Sequence, residues 1–115
     1  MVLHNFHTHS HFSDGSDMPE NYILEAIGQN FRALGFSEHS PLPFKNTFAL
    51  KSESVKVYTS EIKQLREKYA SQIDVFCGLE ADYIPGVSES FSDLKDTNRL
   101  DYIIGSVHLV KNFSN

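Results

Sequence analysis

Short runs of alternating or continuous apolar residues are separated by segments in which apolar residues recur every three or four positions. Runs of the first kind predict four β-strands, at residues 2–9, 36–39, 73–82 and 100–108. Helical spacing predicts three α-helices, at residues 17–34, 55–69 and 88–94. The predicted order is therefore βαβαβαβ, which is typical of a parallel sheet with right-handed helical crossovers, either open or curved into a barrel.

Residues that commonly start and stop helices mark both ends of the first predicted helix. Asp17 is the expected N-cap, Pro19 lies in the first turn, and Glu20 follows Asp17 at the spacing of a capping box. Gly35 is expected to end the helix directly after Leu34. The second strand would then begin at position 36.

Side chains that bind metal ions stand at the end of every predicted strand. They are His7 and His9 in the first strand, His39 in the second, Glu80 in the third and His108 in the fourth. Because the carboxyl ends of parallel strands lie on one edge of a sheet, we expect these residues to converge. The sequence therefore predicts a metal site at this edge.

Alternation along the strands assigns a face to each candidate ligand. In the first strand His7 and His9 are predicted on one face and Phe6 on the other. In the third strand Glu80 is predicted to face the site, while Cys77 and its alternate neighbours pack against the helices. The fourth strand is apolar on both faces, so its alternation is weak evidence for the face on which His108 lies.

Three further residues around the first motif have simpler interpretations. His4 is out of phase with His7, and His11 lies in a loop, so neither is assigned to the site. Asp14 immediately precedes Gly15, and this pair is also an ordinary turn sequence. Asp14 is therefore a weaker candidate ligand than the histidines at the strand ends.

The candidate ligands are imidazole and carboxylate groups without a thiolate. Such a set suits Zn²⁺, Mn²⁺ or Fe²⁺ and differs from the cysteine-rich sets of structural zinc sites. More than four candidates are enough to hold two or three ions that share a carboxylate. Clustered ions clamp phosphoryl oxygens and lower the pKa of bound water, so hydrolysis of a phosphoester is the expected chemistry.

Composition narrows the range of partners. The 115 residues carry a formal net charge of −5 with no basic run, which disfavours nucleic-acid binding. No apolar run approaches the ~18 residues of a membrane span. Cys77 is the one cysteine and no signal peptide is apparent, so a cytoplasmic location is expected.

The aromatic-rich loop at 41–51 is a candidate pocket wall beside a small phosphorylated substrate.

Four ordered motifs resemble those of the polymerase and histidinol phosphatase (PHP) superfamily. They are FHTHSHFSDG at 6–15, SEH at 37–39, GLEAD at 78–82 and IGSVH at 104–108. The string GFSEHSPLPF at 35–44 is most similar to the histidinol-phosphatase branch. The resemblance covers essentially the whole chain and implies a metal-dependent phosphatase of histidine biosynthesis, which converts L-histidinol phosphate and water to L-histidinol and phosphate.

The resemblance also implies a distorted (β/α)₇ barrel with a trinuclear metal centre. Carried over by motif, the ligands are His7 and His9 on the first ion, Glu80 bridging the first and second, His108 on the second, and Asp14 and His39 on the third. No catalytic residue beyond the metal ligands is assigned, because neither the general acid nor the substrate-binding arginines can be placed.

At 115 residues the chain is well short of a complete barrel of roughly 250 residues. We therefore expect residues 1–115 to be a partial domain, the first half of the barrel. It could be a fragment of a longer enzyme, a shortened gene product, or a chain that associates with another copy to cover its open sheet edges. The alternatives to histidinol-phosphatase activity are another phosphoester substrate, or metal binding without turnover.

Overall fold

The computed structural model describes residues 3–41, 49–82 and 99–106. The elements in chain order are β1 Leu3–Thr8, α1 Pro19–Gly28, β2 Phe31–His39, a 3₁₀ turn Ser52–Ser54, α2 Val55–Lys68, β3 Asp74–Asp82 and β4 Tyr102–Ser106. The helix predicted at 88–94 lies outside the described residues, as do most of the loop at 41–51 and His108.

The four strands form one parallel sheet in the order β1-β2-β3-β4. Both helices pack on one face of this sheet, and the core between them contains Ile23 of α1, Tyr58 and Ile62 of α2, and Phe36 and Leu79 of the strands. The predicted faces of β3 are confirmed, since Cys77 and its alternate neighbours are buried in this core. Neither helix among the described residues has the length and apolarity needed to cross a membrane.

The other face of the sheet is concave. Tyr102 of β4 reaches back over the inner face, where its hydroxyl lies 2.6 Å from the carbonyl oxygen of Phe6 and 2.9 Å from that of Phe36. In a flat sheet the first and fourth strands would lie roughly 14 Å apart, three times the usual spacing. A tyrosine side chain cannot reach that far, so the sheet must curl, as expected for half of a barrel.

The first helix is shorter than predicted, and the second strand is correspondingly longer. The helix ends at Gly28, and Asn30 adopts a left-handed conformation with φ of 64° that turns the chain into β2. Residues 31–34 pair with β1 and extend the strand rather than the helix. The prediction failed because Phe31 and Leu34 continue the helical spacing of apolar residues, while strand pairing decides their conformation.

Gly35 does not cap a helix but lies within β2, against the inner face. A Cβ atom at this position would lie 2.5 Å from the Tyr102 hydroxyl and 2.7 Å from the Phe6 ring. The glycine is therefore explained by the close approach of these two side chains across the concave face.

The predicted capping of the first helix was also wrong. Met18 occupies the N-cap without a side-chain hydrogen bond, while the Asp17 carboxylate accepts from the Met18 N–H at 2.8 Å and from the Asn21 side chain at 2.6 Å. Glu20 does not fold back to complete a capping box, because its carboxylate accepts from the Tyr69 hydroxyl at 2.6 Å and links α1 to α2.

Strand β1 is interrupted by a bulge. Asn5 is opposite Leu34 and Thr8 is opposite Phe36, so two residues of β1 stand opposite Gly35 alone. The predicted alternation does not hold here, because the Phe6 ring faces the concave side, 5.6 Å from the ring of Phe76. The bulge allows the following residue, His7, to turn toward the same side.

Candidate metal centre

Three neighbouring strands deliver histidine and glutamate side chains to one edge of the sheet. His7 lies near the end of β1 and His9 directly follows it, His39 ends β2, and Glu80 lies two residues before the end of β3. His39 and Glu80 are direct partners in the parallel register. The predicted convergence of these four residues is therefore present in the structure.

Glu80 lies at the centre of the cluster, and only 2% of its side chain is exposed. One carboxylate oxygen contacts Nε2 of His7 and lies 3.0 Å from Nε2 of His9, and the other lies 3.8 Å from Nδ1 of His39. Burial by itself raises the pKa of Glu80, but the hydrogen bond with His7 and the charges of the three histidines outweigh it and lower the pKa. The group is therefore an ionised carboxylate at neutral pH.

Asp14 joins two histidines on the more exposed side of the cluster. Its carboxylate oxygens lie 2.7 Å from Nδ1 of His9 and 3.0 Å from Nε2 of His39. Partial burial raises the pKa of Asp14, but the charges and hydrogen bonds of His39 and His9 together lower it. The Ser-Asp-Gly sequence thus forms a turn and also places a carboxylate beside two imidazoles.

These side chains form two overlapping sets of potential ligands. Within each set the ligand atoms lie within 4.8 Å of one another. The first set contains His7, His9 and Glu80, and the second contains His9, Asp14 and His39. Nitrogen and oxygen donors at this spacing fit a divalent ion such as Zn²⁺. Of the six predicted ligands, five are brought together and His108 lies outside the described residues, while the metal-binding role itself stays a prediction.

A tight loop brings Asp14 back to the end of β1. The Ser10 carbonyl accepts from the N–H groups of Ser13 at 3.1 Å and Gly15 at 2.8 Å. Gly15 is packed so closely that a Cβ atom there would lie 2.1 Å from the His9 carbonyl oxygen. Only glycine is therefore compatible with this path of the loop.

Sequence reasoning missed Glu38, which is fully buried directly before His39. Its carboxylate accepts from the backbone N–H of Ser10 at 2.9 Å and from the Ser13 hydroxyl at 2.6 Å. Alternation could have found it, because a strand that turns His39 toward the site must turn Glu38 into the core. A carboxylate in a core requires several hydrogen-bond partners, and the serines of the preceding loop were the available donors.

The two histidines that were left unassigned belong to neither ligand set. His4 is exposed, with its ring 5.2 Å from that of Phe6, and His11 is exposed beside the ring of Phe12 at 4.6 Å. His4 also lies outside the loop that carries Asp14, which makes it the suitable control for the histidines of the cluster.

An open cavity of about 330 Å³ adjoins the cluster between β1 and α1. It is lined by His7 and His9, by the polar side chains of Tyr22 and Glu25, and by Leu34 among others. This volume is at the lower end of the range for small-molecule sites. The cavity therefore borders the two histidines.

The model of the PHP domain family matches residues 5–115 of the chain. The chain belongs to the PHP domain family. This membership confirms the interpretation of the four ordered motifs, whose described residues lie on or directly after the strands of the sheet.

Curated relatives of this PHP chain include histidinol-phosphatases. The chain is 33% identical to a probable histidinol-phosphatase of Deinococcus radiodurans over 78% of its own length and 35% of the relative's. It is 33% identical to the histidinol-phosphatase of Bacillus subtilis over 91% of its own length and 43% of the relative's. The chain therefore spans between a third and a half of the relatives it matches.

Solved structures confirm the fold. A putative histidinol phosphatase from Listeria monocytogenes superimposes with a TM-score of 0.77 at 25% identity, over 92% of this PHP chain and 45% of the other. A histidinol phosphate phosphatase from Lactococcus lactis was solved with zinc, L-histidinol and phosphate. It superimposes with a TM-score of 0.76 at 30% identity, over 91% of this PHP chain and 40% of the other. The described sheet is thus the curved parallel sheet of a TIM-like barrel.

Proposed function

We propose that this chain supplies the first metal-binding strands of a metal-dependent phosphomonoesterase that hydrolyses L-histidinol phosphate to L-histidinol and phosphate. The observation that carries the proposal is the buried Glu80 carboxylate, in contact with His7 and His9. Support comes from the histidinol-phosphatases among the relatives and from the Lactococcus lactis enzyme bound to L-histidinol and phosphate.

Two or three divalent ions are the proposed cofactors, with Zn²⁺, Mn²⁺ and Fe²⁺ as the candidates. His7, His9 and Glu80 would hold one ion, Asp14 and His39 would hold another, and His108 would join Glu80 on a third. Bound ions would supply positive charge to the phosphoryl oxygens and would make water a better nucleophile at neutral pH.

The contribution of the chain itself is to hold ionised carboxylates and imidazoles in place before an ion arrives. Glu80 and Asp14 have lowered pKa values, so both present negative charge at neutral pH. Glu80 is also almost fully enclosed, which fixes its orientation. A pre-arranged ligand set of this kind reduces the reorganisation needed for binding.

We further propose that residues 1–115 correspond to the amino-terminal part of the PHP domain in the longer relatives, acting in histidine biosynthesis in the cytoplasm. The four motifs occur in the family order, and the chain spans 35% and 43% of two relatives. The free, buried thiol of Cys77 is compatible with a reducing compartment.

The experiment is phosphate release from L-histidinol phosphate in the presence of Mn²⁺ or Zn²⁺. Activity that falls at least a hundredfold in Glu80→Gln and His7→Ala, but persists in the control His4→Ala, supports the enzyme. Release that is unaffected by Glu80→Gln contradicts the proposed centre.

Metal binding without turnover is the second candidate, because the chain matches less than half of each relative's length. Retained Zn²⁺ in elemental analysis, with no phosphate release from the wild-type chain, favours this candidate. Release from another phosphomonoester but not from L-histidinol phosphate indicates a different substrate of the same PHP chemistry.

Self-association is a further proposal. In the described part of the chain, β1 pairs with β2 alone and β4 pairs with β3 alone, so each presents an edge. Edge strands of this kind readily pair with another chain. Sedimentation velocity at micromolar concentration should therefore show a dimer or larger species, and a stable compact monomer counts against it.

A further inference from the structure

A buried carboxylate outside both ligand sets contacts the loop that carries Asp14. Glu38 is fully buried on the core side of β2 and receives four hydrogen-bond contacts. The Ser10 N–H lies 2.9 and 3.0 Å from its two oxygens, the Ser10 hydroxyl contacts Oε2, and the Ser13 hydroxyl lies 2.6 Å from Oε1. Glu38 therefore binds both ends of the 10–13 stretch.

The same contacts connect this stretch to the ligands themselves. The Ser13 hydroxyl donates a hydrogen bond to Glu38. Its oxygen also accepts a hydrogen bond from the backbone N–H of His39, at 3.3 Å. Ser10 directly follows His9, and Ser13 directly precedes Asp14. A displacement of the stretch would thus move Asp14 relative to both of its histidine partners.

The surroundings of Glu38 argue against a role in core stability alone. Its partner across the register is Leu79, and the same face carries Phe36 and Val75, which are buried and apolar. Burying a carboxylate among such side chains costs free energy that an apolar residue would not. The hydrogen bonds from Ser10 and Ser13 are the contacts that an apolar residue at this position could not make.

We propose that Glu38 is a positioning residue that holds the 10–13 stretch so that Asp14 lies between His9 and His39. The inference rests on the proposed metal centre and adds to it a carboxylate that belongs to neither ligand set. Partners of this kind orient metal ligands in other sites, and their loss lowers metal affinity by about 10- to 100-fold.

The first test measures Zn²⁺ affinity by competition with a chromophoric chelator. Glu38→Gln and Ser13→Ala should each weaken at least one class of Zn²⁺ site by about 10- to 100-fold. Ser13→Thr keeps the hydroxyl and should restore affinity. Leu79→Val, a core change on the same face, is the control and should bind Zn²⁺ like the wild type. Unchanged affinity in both Glu38→Gln and Ser13→Ala overturns the proposal.

The second test needs no metal and therefore separates this inference from the proposed function. Amide exchange at Ser10, followed by NMR in the metal-free chain, should be at least about tenfold faster in Glu38→Gln, because glutamine offers one acceptor oxygen where the carboxylate offers two. Exchange in α2 should not change. If Glu38→Gln does not fold, exchange of the loop amides in Ser13→Ala gives the answer. Wild-type exchange at these amides would overturn the proposal, whether or not the chain releases phosphate.

Discussion

His39 stands directly opposite Glu80 in the register of β2 and β3, with its Nδ1 atom 3.8 Å from the Glu80 carboxylate. Because the strands are parallel, this pairing brings residues from two separate motifs to the same edge of the sheet. His9 and Asp14 complete the connection from the first motif. The site is thus assembled from three motifs by the register of parallel strands.

Acidification should destabilise the metal-free chain through Glu80. The folded-state pKa of Glu80 is lowered, so its contribution is present above the unfolded pKa of about 4.3 and is lost as the pH falls through the folded value. Urea unfolding between pH 6 and pH 3 should show a steeper loss of stability in the wild type than in Glu80→Gln. Parallel curves for the two proteins would contradict this assignment.

Cys77 should be unreactive in the folded chain. Burial raises the pKa of the Cys77 thiol to about 12, and the side chain is fully enclosed between the sheet and the helices. A chromogenic disulfide reagent at pH 8 should therefore react at least a hundredfold more slowly with the native chain than with the urea-unfolded chain. Equal rates would show that the core around Cys77 opens freely.

The same thiol should make stability depend on alkaline pH. Since the folded pKa is raised, the contribution of Cys77 is complete below the unfolded pKa of about 8.5 and is lost as the pH rises toward 12. The free energy of unfolding should fall by up to about 1.4 kcal/mol per pH unit more in the wild type than in Cys77→Ala. Urea unfolding at pH 8 and pH 10.5 measures this difference.

Tyr102 should stabilise the curvature of the sheet. Tyr102→Phe removes the hydroxyl at the Phe6 and Phe36 carbonyls and should cost about 1 kcal/mol. Gly35→Ala places a Cβ against that hydroxyl and should cost about 1–3 kcal/mol. In the double variant, Gly35→Ala should lower the free energy of unfolding by less than it does alone, because the Tyr102 oxygen is gone. If the two single variants' losses of unfolding free energy simply added in the double variant, as measured by urea unfolding, the contact would be contradicted.

The strand-end ligands could be predicted from the sequence because they depend on topology, which the periodic pattern indicates. His39 and Glu80 meet because the strands that carry them are parallel neighbours. The start of β2 could not be predicted, because Phe31 and Leu34 satisfy helical spacing and only their pairing with β1 places them in a strand. The burial of Glu38 follows from its alternation with His39, but its hydrogen bonds depend on a loop whose path the sequence does not specify.

Gly15 and Gly28 provide a matched pair for testing the loop. A Cβ at Gly15 would lie 2.1 Å from the His9 carbonyl, a backbone atom that can move only with the loop, whereas a Cβ at Gly28 meets nothing within 4 Å. Gly28→Ala, in the last position of α1, should be neutral or stabilise the chain by about 0.5–1 kcal/mol.

Gly15→Ala should instead lower stability by about 1–3 kcal/mol and displace Asp14 from His9 and His39. Thermal unfolding and Zn²⁺ competition on both variants measure the two effects. If Gly15→Ala retained both wild-type stability and wild-type Zn²⁺ affinity, the loop would be able to shift without moving Asp14. The tight path from His9 to Gly15 would then not be what positions the Asp14 carboxylate.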